Sequence, residues 1–217
     1  MSENLVPPAN FVHLHVHTQY SLLDGAIRVR DLLAKCKEYG MDAVAITDHG
    51  SMYGALEFYV QAKKAGIKPI IGCEFYVAHS KRFDKSAKSA GKAAFHLVLL
   101  AMNNIGYQNL LKLASLAHME GFHYKPRIDM EVLAAHAEGL IALTACLHGG
   151  VPQRITAGDM KGAKREASQL LALFGDRLYL EMQENNIPEQ TVVNKGLKQL
   201  SKELGIPLIA TNDCHYL

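Results

Sequence analysis

The sequence predicts an α/β fold in which parallel strands alternate with packed helices and curl toward a barrel. Two observations lead there. Short apolar runs, polar loops and helical apolar stripes succeed one another in a steady rhythm from residue 11 onward. Histidines, carboxylates and one cysteine also gather at the ends of the apolar runs, where strands of such a fold bring distant loops together. At 217 residues and 49% hydrophobic content, the chain has enough apolar material for one buried core. The expected division is an N-terminal tail over 1–10 and a single domain over 11–217.

The elements follow in order. A first strand is expected over Val12–Val16, where His13, His15 and His17 alternate with Leu and Val, so that a regular strand would turn all three to one face. Val29, Leu32, Leu33 and Cys36 share a helical face that Gly40 closes. A strand over Ala43–Thr47 leads to a second helix, with Leu56, Tyr59 and Val60 as its stripe and Gly66 as its stop. Strands over Pro69–Val77 and Phe95–Ala101 come next. Leu110, Leu113, Ala114 and Ala117 mark another helix, and Asp129 suits an N-cap. After a strand over Leu140–Thr144, the stripe Leu170, Leu171 and Phe174 runs to Gly175 and a strand over Leu178–Met182. Pro188 opens the last helix, which buries Val193, Leu197, Leu200 and Leu204, stops at Gly205, and hands over to a strand at Ile206–Thr211. The count is about seven βα units, close to the eight of a closed barrel.

Composition excludes several classes. No apolar run nears the roughly 18 residues of a membrane span, and the polar start MSENLVPPAN lacks a signal-peptide core, which points to a cytoplasmic protein with no membrane partner. The net charge of +2 allows a polyanionic partner without requiring one, so any basic footprint must be local. The 4 cysteines form no CxxC pair and read as reduced thiols. Neither GxSxG nor a Walker loop is present, which leaves acyl transfer and triphosphate hydrolysis without support.

The polar residues at strand ends are His15 and His17, Asp48 and His49, Glu74, His96, Cys146, and Asp213 with His215. HxH and DxH in extended chain put both side chains on one face, about 7 Å apart at the backbone, a spacing that suits chelation. His79, His118, His123, His136 and His148 fall in loops or on helices and read as ordinary polar residues. Strand alternation turns Cys73 and Cys214 toward the helices, and Cys36 joins an apolar stripe, so Cys146 alone has a ligand's position. Imidazole, carboxylate and thiolate together favour zinc, with manganese or iron as alternatives. The donors outnumber the needs of one tetrahedral ion, which implies a multinuclear centre with Glu74 as the natural bridge. Such a centre suits phosphate ester hydrolysis. Lys81, Arg82, Lys85, Lys88 and Lys92 after the Glu74 strand, with Lys125 and Arg127 further on, are candidate phosphate contacts. Tyr20, Phe83 and Tyr124 are candidate stacking surfaces for bases.

In this order and at these positions, HLHVHT, TDHG, GCE and TNDCH resemble the PHP domain, named for polymerases and histidinol phosphatases. The longer strings HTQYSLLDGA, AGIKPIIGCEFYVA, GYQNLLKLAS, KPRID, HAEGLIALTAC and ATNDCHYL are similar to the PHP domains that head bacterial replicative polymerases of the polymerase III alpha type. The resemblance runs from Phe11 to Leu217. It implies a distorted seven-stranded β/α barrel with its metal site at the C-terminal ends of the strands and up to three divalent ions. The ligands it implies are His15, His17, Asp24, His49, Glu74, His96, Cys146, Asp213 and His215. His15, His17, Glu74 and Asp213 would surround one ion, Glu74, His96 and Cys146 a second, and Asp24, His49 and His215 a third. Catalysis would fall to Asp213, Glu74 and His215, with Asp48 fixing a histidine tautomer.

The activity implied is 3′–5′ exonuclease proofreading of DNA. The alternatives are a metal-stapled scaffold for the polymerase and a separate proofreading subunit, or a phosphatase of the histidinol phosphate type. DNA, the polymerase body of the same longer chain and other replisome subunits are the implied partners. Because the family domain continues past NDxH, the chain is expected to be a fragment, with the polymerase site outside it.

Overall fold

In the computed structural model, residues 11–86 and 94–217 are described. The expected tail over 1–10 and the positions Lys88 and Lys92 lie outside the described residues. The strands are β1 (Ala43–Ile46), β2 (Lys68–Val77), β3 (Phe95–Ala101), β4 (Arg127–Ile128), β5 (Leu140–Leu143), β6 (Leu178–Met182) and β7 (Leu208–Ala210). The helices are α1 (Val29–Glu38), α2 (Ala55–Ala65), α3 (Asn104–Met119), α4 (Met130–Ala135), α5 (Gly150–Thr156), α6 (Met160–Phe174) and α7 (Pro188–Leu204). The 7-stranded sheet runs β1-β2-β3-β5-β6-β7, with β4 added against the end of β2.

The sheet is curled, and the stretch from His13 to Thr18 bridges its two ends. On one side His13 O and Val16 O each accept from β1 and its extension, Ala45 N and Thr47 N, at 2.8 Å. On the other, His17 N donates to Cys214 O at 2.8 Å and Cys214 N to His15 O at 3.1 Å. The regular strand expected over Val12–Val16 does not form, and an isolated bridge between Val16 and Cys214 stands in its place. One cause is local: Val16 N donates to the Thr47 hydroxyl at 2.9 Å instead of to a backbone carbonyl, which interrupts the ladder. Alternation therefore stops at His13. Its ring packs edge-on to Phe11 and its Nδ1 lies 3.6 Å from the Cys214 thiol, away from His15 and His17.

The all-parallel arrangement expected from the rhythm is also corrected. β1 and β2 are parallel, as are β5, β6 and β7, but β3 runs antiparallel to both β2 and β5. His96 near the start of β3 thus pairs with Tyr76 near the end of β2. The beginning of an antiparallel strand shares a rim with the ends of its neighbours, and that reversal brings His96 to the site. β4 was not foreseen, since two residues carry no readable period.

Glycine ends α2 and α7 in the left-handed conformation, at Gly66 (φ 74°) and Gly205 (φ 69°). Asp129 caps α4 by accepting from Val132 N at 3.2 Å. On α2 the expected face is wrong: Ala55, Phe58 and Ala62 are buried, while Leu56 is 71% exposed and Tyr59 and Val60 are exposed too. Phe58 and Ala62 pack with Val44 and Ile46 of β1 and with α1 residues Leu32, Leu33 and Cys36. A larger cluster on the helix-facing side of β2, β3, β5 and β6 buries Cys73, Phe75, Leu97, Leu99, Leu140, Ala142, Leu178 and Leu180 against α3 to α7. A smaller one, Ala45, Val98, Leu100, Leu143 and Ala145, comes only from the strands and their ends and fills the inside of the curl. In phase with Val98 and Leu100 on β3 lies His96, and in phase with Ile70 and Gly72 on β2 lies Glu74. The interior is thus apolar at its floor and polar at its rim. No helix among the described residues is long and apolar enough to cross a membrane.

Candidate metal centre

The rim is assembled from strand ends. His49 bridges Glu74, whose N–H donates to Thr47 O at 3.3 Å and Asp48 O at 3.2 Å, so the TDHG turn rides on β2. Asp24 sits in a tight loop in which Gly25 N donates to Ser21 O at 2.8 Å. A side chain at Gly25 would put its Cβ 1.9 Å from Thr18 O, so only glycine fits beside Asp24. Cys146 follows Ala145, held at φ 61°, and Asp213 itself is held at φ 49°. Left-handed backbone at non-glycine residues costs of order 1–2 kcal/mol, and here it falls on the site.

Four donor atoms meet at the deepest point. His15 Nε2 lies 3.0 Å from His17 Nε2, 3.2 Å from Asp213 Oδ1 and 3.3 Å from Glu74 Oε1, and His17 Nε2 lies 3.2 Å from the same Asp213 oxygen. Their hydrogen-bond partners decide the tautomers. His15 Nδ1 lies 2.7 Å from Glu181 Oε1, a carboxylate that also accepts from Thr211 and Gln183, so Nδ1 carries the proton. For His17 the chain is longer: Asp48 accepts from Thr18 and from the Ser21 hydroxyl at 2.9 Å. With its hydrogen committed there, Ser21 Oγ accepts from His49 N at 3.1 Å and from His17 Nδ1–H at 3.0 Å. When neutral, both rings therefore turn Nε2 lone pairs toward two carboxylates, an arrangement that is repulsive unless a positive charge, a proton on His15 Nε2 or a divalent ion, sits among them. Asp48 acts through Ser21 and does not itself touch a histidine ring.

The electrostatics agree. Burial opposes charge on His15, but the pull of Glu181, Asp213 and Glu74 overrides it and raises its pKa well above the ordinary value. Burial likewise works against ionised Glu74, yet His15 and His96 hold it well below the usual carboxylate range, and Asp213 is lowered against burial by His15, His17 and His215. Glu74 Oε2 and His49 Nδ1, 2.6 Å apart, and Asp213 Oδ1 and His215 Nδ1 are buried with no partner in hydrogen-bond geometry. Nitrogen and oxygen atoms that crowd one another in this way are what a divalent ion would satisfy, so the donor set fits the group.

Two further groupings adjoin this one. His96 Nδ1 lies 2.9 Å from Glu74 Oε1 and 3.8 Å from Cys146 Sγ. Asp24, 51% exposed, has Oδ2 3.3 Å from His49 Nε2 and Oδ1 3.7 Å from His215 Nδ1. The nine side chains expected at the rim are thus brought together in three neighbouring sets, two of which include Glu74, while the third touches it through His49 Nδ1, 2.6 Å from Glu74 Oε2. Three contributors were missed: Glu181, Ser21 and His148, whose Nδ1 lies 3.8 Å from Cys146 Sγ. A buried carboxylate in the strand LYLEM and the CxH spacing at 146–148 were the available signals.

The candidate substrate contacts divide. Arg82 is buried, donating to Glu120 at 2.7 Å and Asp129 at 3.2 Å, and Arg127 is buried against the carbonyls of Gly121, Arg82 and Asp84. Both are internal braces, which corrects the expectation that they meet phosphate; basic side chains on a short loop found carboxylates and carbonyls to satisfy first. Lys81 pairs with Glu131 at 2.5 Å on the surface, and the Tyr20 hydroxyl donates to Glu57. Lys125 lies 5.2 Å over the ring of Tyr76, which stacks on His49, and Tyr124 beside it is 77% exposed at φ 61°.

Residues 13–185 match the family described as PHP domain. The chain is 49% identical to the DNA polymerase III subunit alpha of Borreliella burgdorferi over 209 residues, covering 96% of this chain and 18% of that protein. It is 50% identical to the protein of the same description from Thermus aquaticus over 210 residues, 95% of this chain and 17% of the relative. The chain therefore spans less than a fifth of the length of these relatives. Among solved structures, a provisionally assigned metal-dependent phosphoesterase of Bifidobacterium adolescentis superposes with a TM-score of 0.60 at 18% identity, covering 97% of this chain and 89% of that one. An amidohydrolase of Chromobacterium violaceum gives 0.57 at 15% identity, covering 95% and 88%. At such identities the likeness is one of fold.

Proposed function

This chain belongs to the PHP domain family, and from that premise we propose that it is the PHP portion of a bacterial replicative DNA polymerase and removes nucleotides from DNA 3′ ends at a metal centre on its rim. The observation that carries the reading is the convergence of Glu74 and Asp213 on His15 Nε2 and His17 Nε2 at 3.2–3.5 Å, with the two Nε2 atoms 3.0 Å apart and turned inward. His15, His17, Glu74 and Asp213 would hold one ion, Glu74, His96 and Cys146 a second, and Asp24, His49 and His215 a third. Divalent ions there, zinc first and manganese or iron as alternatives, would supply Lewis acidity to a phosphoryl oxygen and acidify water.

The chain's own residues do the remainder. Glu74, fully buried, sets the charge that draws the cations in. Glu181 and the Asp48–Ser21 pair keep His15 and His17 in the tautomer that leaves Nε2 free. Asp213 and His215, 3.3 Å apart, are more accessible than His15, His17 and Glu74 and would exchange protons with water at the attacking and leaving oxygens. Lys125 and Tyr124 offer a charge and an aromatic face beside Tyr76, which suits a single strand better than a small monoester.

The test uses purified protein of measured metal content with 3′-labelled single-stranded or mismatched DNA, and separately with histidinol phosphate, each with and without chelator. A longer chain that includes the polymerase body serves as the positive control. Chelator-sensitive nucleotide release is expected, and Asp213→Asn should lower it by roughly a hundredfold or more while the protein remains folded. No release from the fully metallated longer chain would sink the exonuclease reading and favour a scaffold.

A further inference from the structure

The CxH turn after β5 adds a donor that the nine-residue set does not include. His148 Nδ1 and His96 Nδ1 each lie 3.8 Å from Cys146 Sγ, and the two rings stand 5.2 Å apart at 35°. A thiol has one hydrogen to donate and is only a weak acceptor, so two imidazole nitrogens at the same distance from it are poorly satisfied by hydrogen bonds alone. Around one tetrahedral zinc, with Zn–S near ~2.3 Å and Zn–N near ~2.0 Å, sulfur and nitrogen ligands stand about 3.6 Å apart, close to what is seen. The three donor atoms of His96, Cys146 and His148 lie within 4.8 Å of one another, and Glu74 Oε1, 2.9 Å from His96 Nδ1, is the carboxylate oxygen next to them.

The backbone holds the turn in place. His96 N donates to His148 O at 3.0 Å, Gln153 Nε2 donates to the same carbonyl at 3.1 Å, and Gly149 N closes the turn on Cys146 O at 2.9 Å. A Cβ at Gly149 would stand 2.0 Å from Thr144 O, so the turn accepts only glycine there. His148 is tied to the strand that carries His96, and its side chain comes in from the solvent side.

We infer that His148 is a fourth protein ligand, completing with His96, Cys146 and Glu74 a closed site of two nitrogens, one sulfur and one oxygen that selects zinc. This rests on the reading of the rim as a metal centre. Its consequence is a division of labour. The Asp24, His49 and His215 set, with three protein ligands, keeps a position open for water and substrate, whereas this position is filled by protein, holds its ion most tightly and braces the β3–β5 rim.

The test is cadmium NMR on the wild-type chain carrying nitrogen-labelled histidine, with Cys146→Ser and His148→Ala for assignment. One cadmium resonance at a sulfur-bound position, lost in Cys146→Ser and coupled to the ring nitrogens of both His96 and His148, is expected. In His148→Ala, the zinc affinity of that position should fall about tenfold or more. A sulfur-bound cadmium coupled to His96 alone, or an unchanged zinc affinity in His148→Ala, overturns the inference and leaves the metal centre standing. Absence of any sulfur-bound cadmium at full loading overturns both.

Discussion

Arg82 and Lys125 show how little residue type says about role at the scale of a single side chain. Both sit in basic stretches, HSKRFDK and HYKPRID, that read equally as phosphate contacts. In the fold, Arg82 is buried between Glu120 and Asp129, and Lys125 lies over Tyr76 next to the histidine cluster. Arg82→Ala should therefore cost about 3 kcal/mol in denaturant unfolding, because it strands two carboxylates, one of them deeply buried. Lys125→Ala should change stability by under ~0.5 kcal/mol, yet weaken DNA binding and reduce the salt slope by about one. Equal stability losses, or an unchanged salt slope in Lys125→Ala, would count against this separation. The histidines were more legible, since HxH and DxH spacing holds two donors on one face wherever the chain is extended. Glu181 was not, because its partner His15 is 166 positions away and no local pattern links them.

At the level of elements, helical periodicity located α2 but chose the wrong face. Leu56, Tyr59 and Val60 obey helical spacing, and so do Ala55, Phe58 and Ala62; when both faces are apolar, the period cannot say which one meets the sheet. The small residues won because α2 lies close on β2 and α1, where Ala62 lets Phe58 fill the gap. Phe58→Ala should then destabilise by about 3–5 kcal/mol, while Leu56→Ala should stay within ~0.5 kcal/mol, as measured by chemical denaturation. Comparable losses in the two variants would refute the packing described. β3 shows the same limit for strands. Its apolar run was recognised within its true bounds, but direction is a property of pairing, and its six partners in β2 and four in β5 lie far along the chain.

For the whole molecule, fold and metal centre should be coupled. Glu74, Glu181 and Asp213 bring three carboxylates to one buried rim, and its histidines lower the cost only in part. Stripping the ions should lower the melting temperature by roughly 5–10 °C at saturating zinc, the shift expected from a ligand at about 100 times its dissociation constant. Calorimetry with and without chelator checks it, and an unchanged transition would argue against metal binding. The sequence by itself determined the βα rhythm, the helix stops at glycine and the donor types at strand ends, because these depend on local period, backbone freedom and ligand chemistry. Only the tertiary structure decided that β3 turns back to bring His96 to the rim, that Arg82 and Arg127 become braces, and that His148 comes within reach of Cys146. Each of those outcomes depends on which distant segment satisfies a backbone or charged group first, and that competition is settled by the curled sheet as a whole.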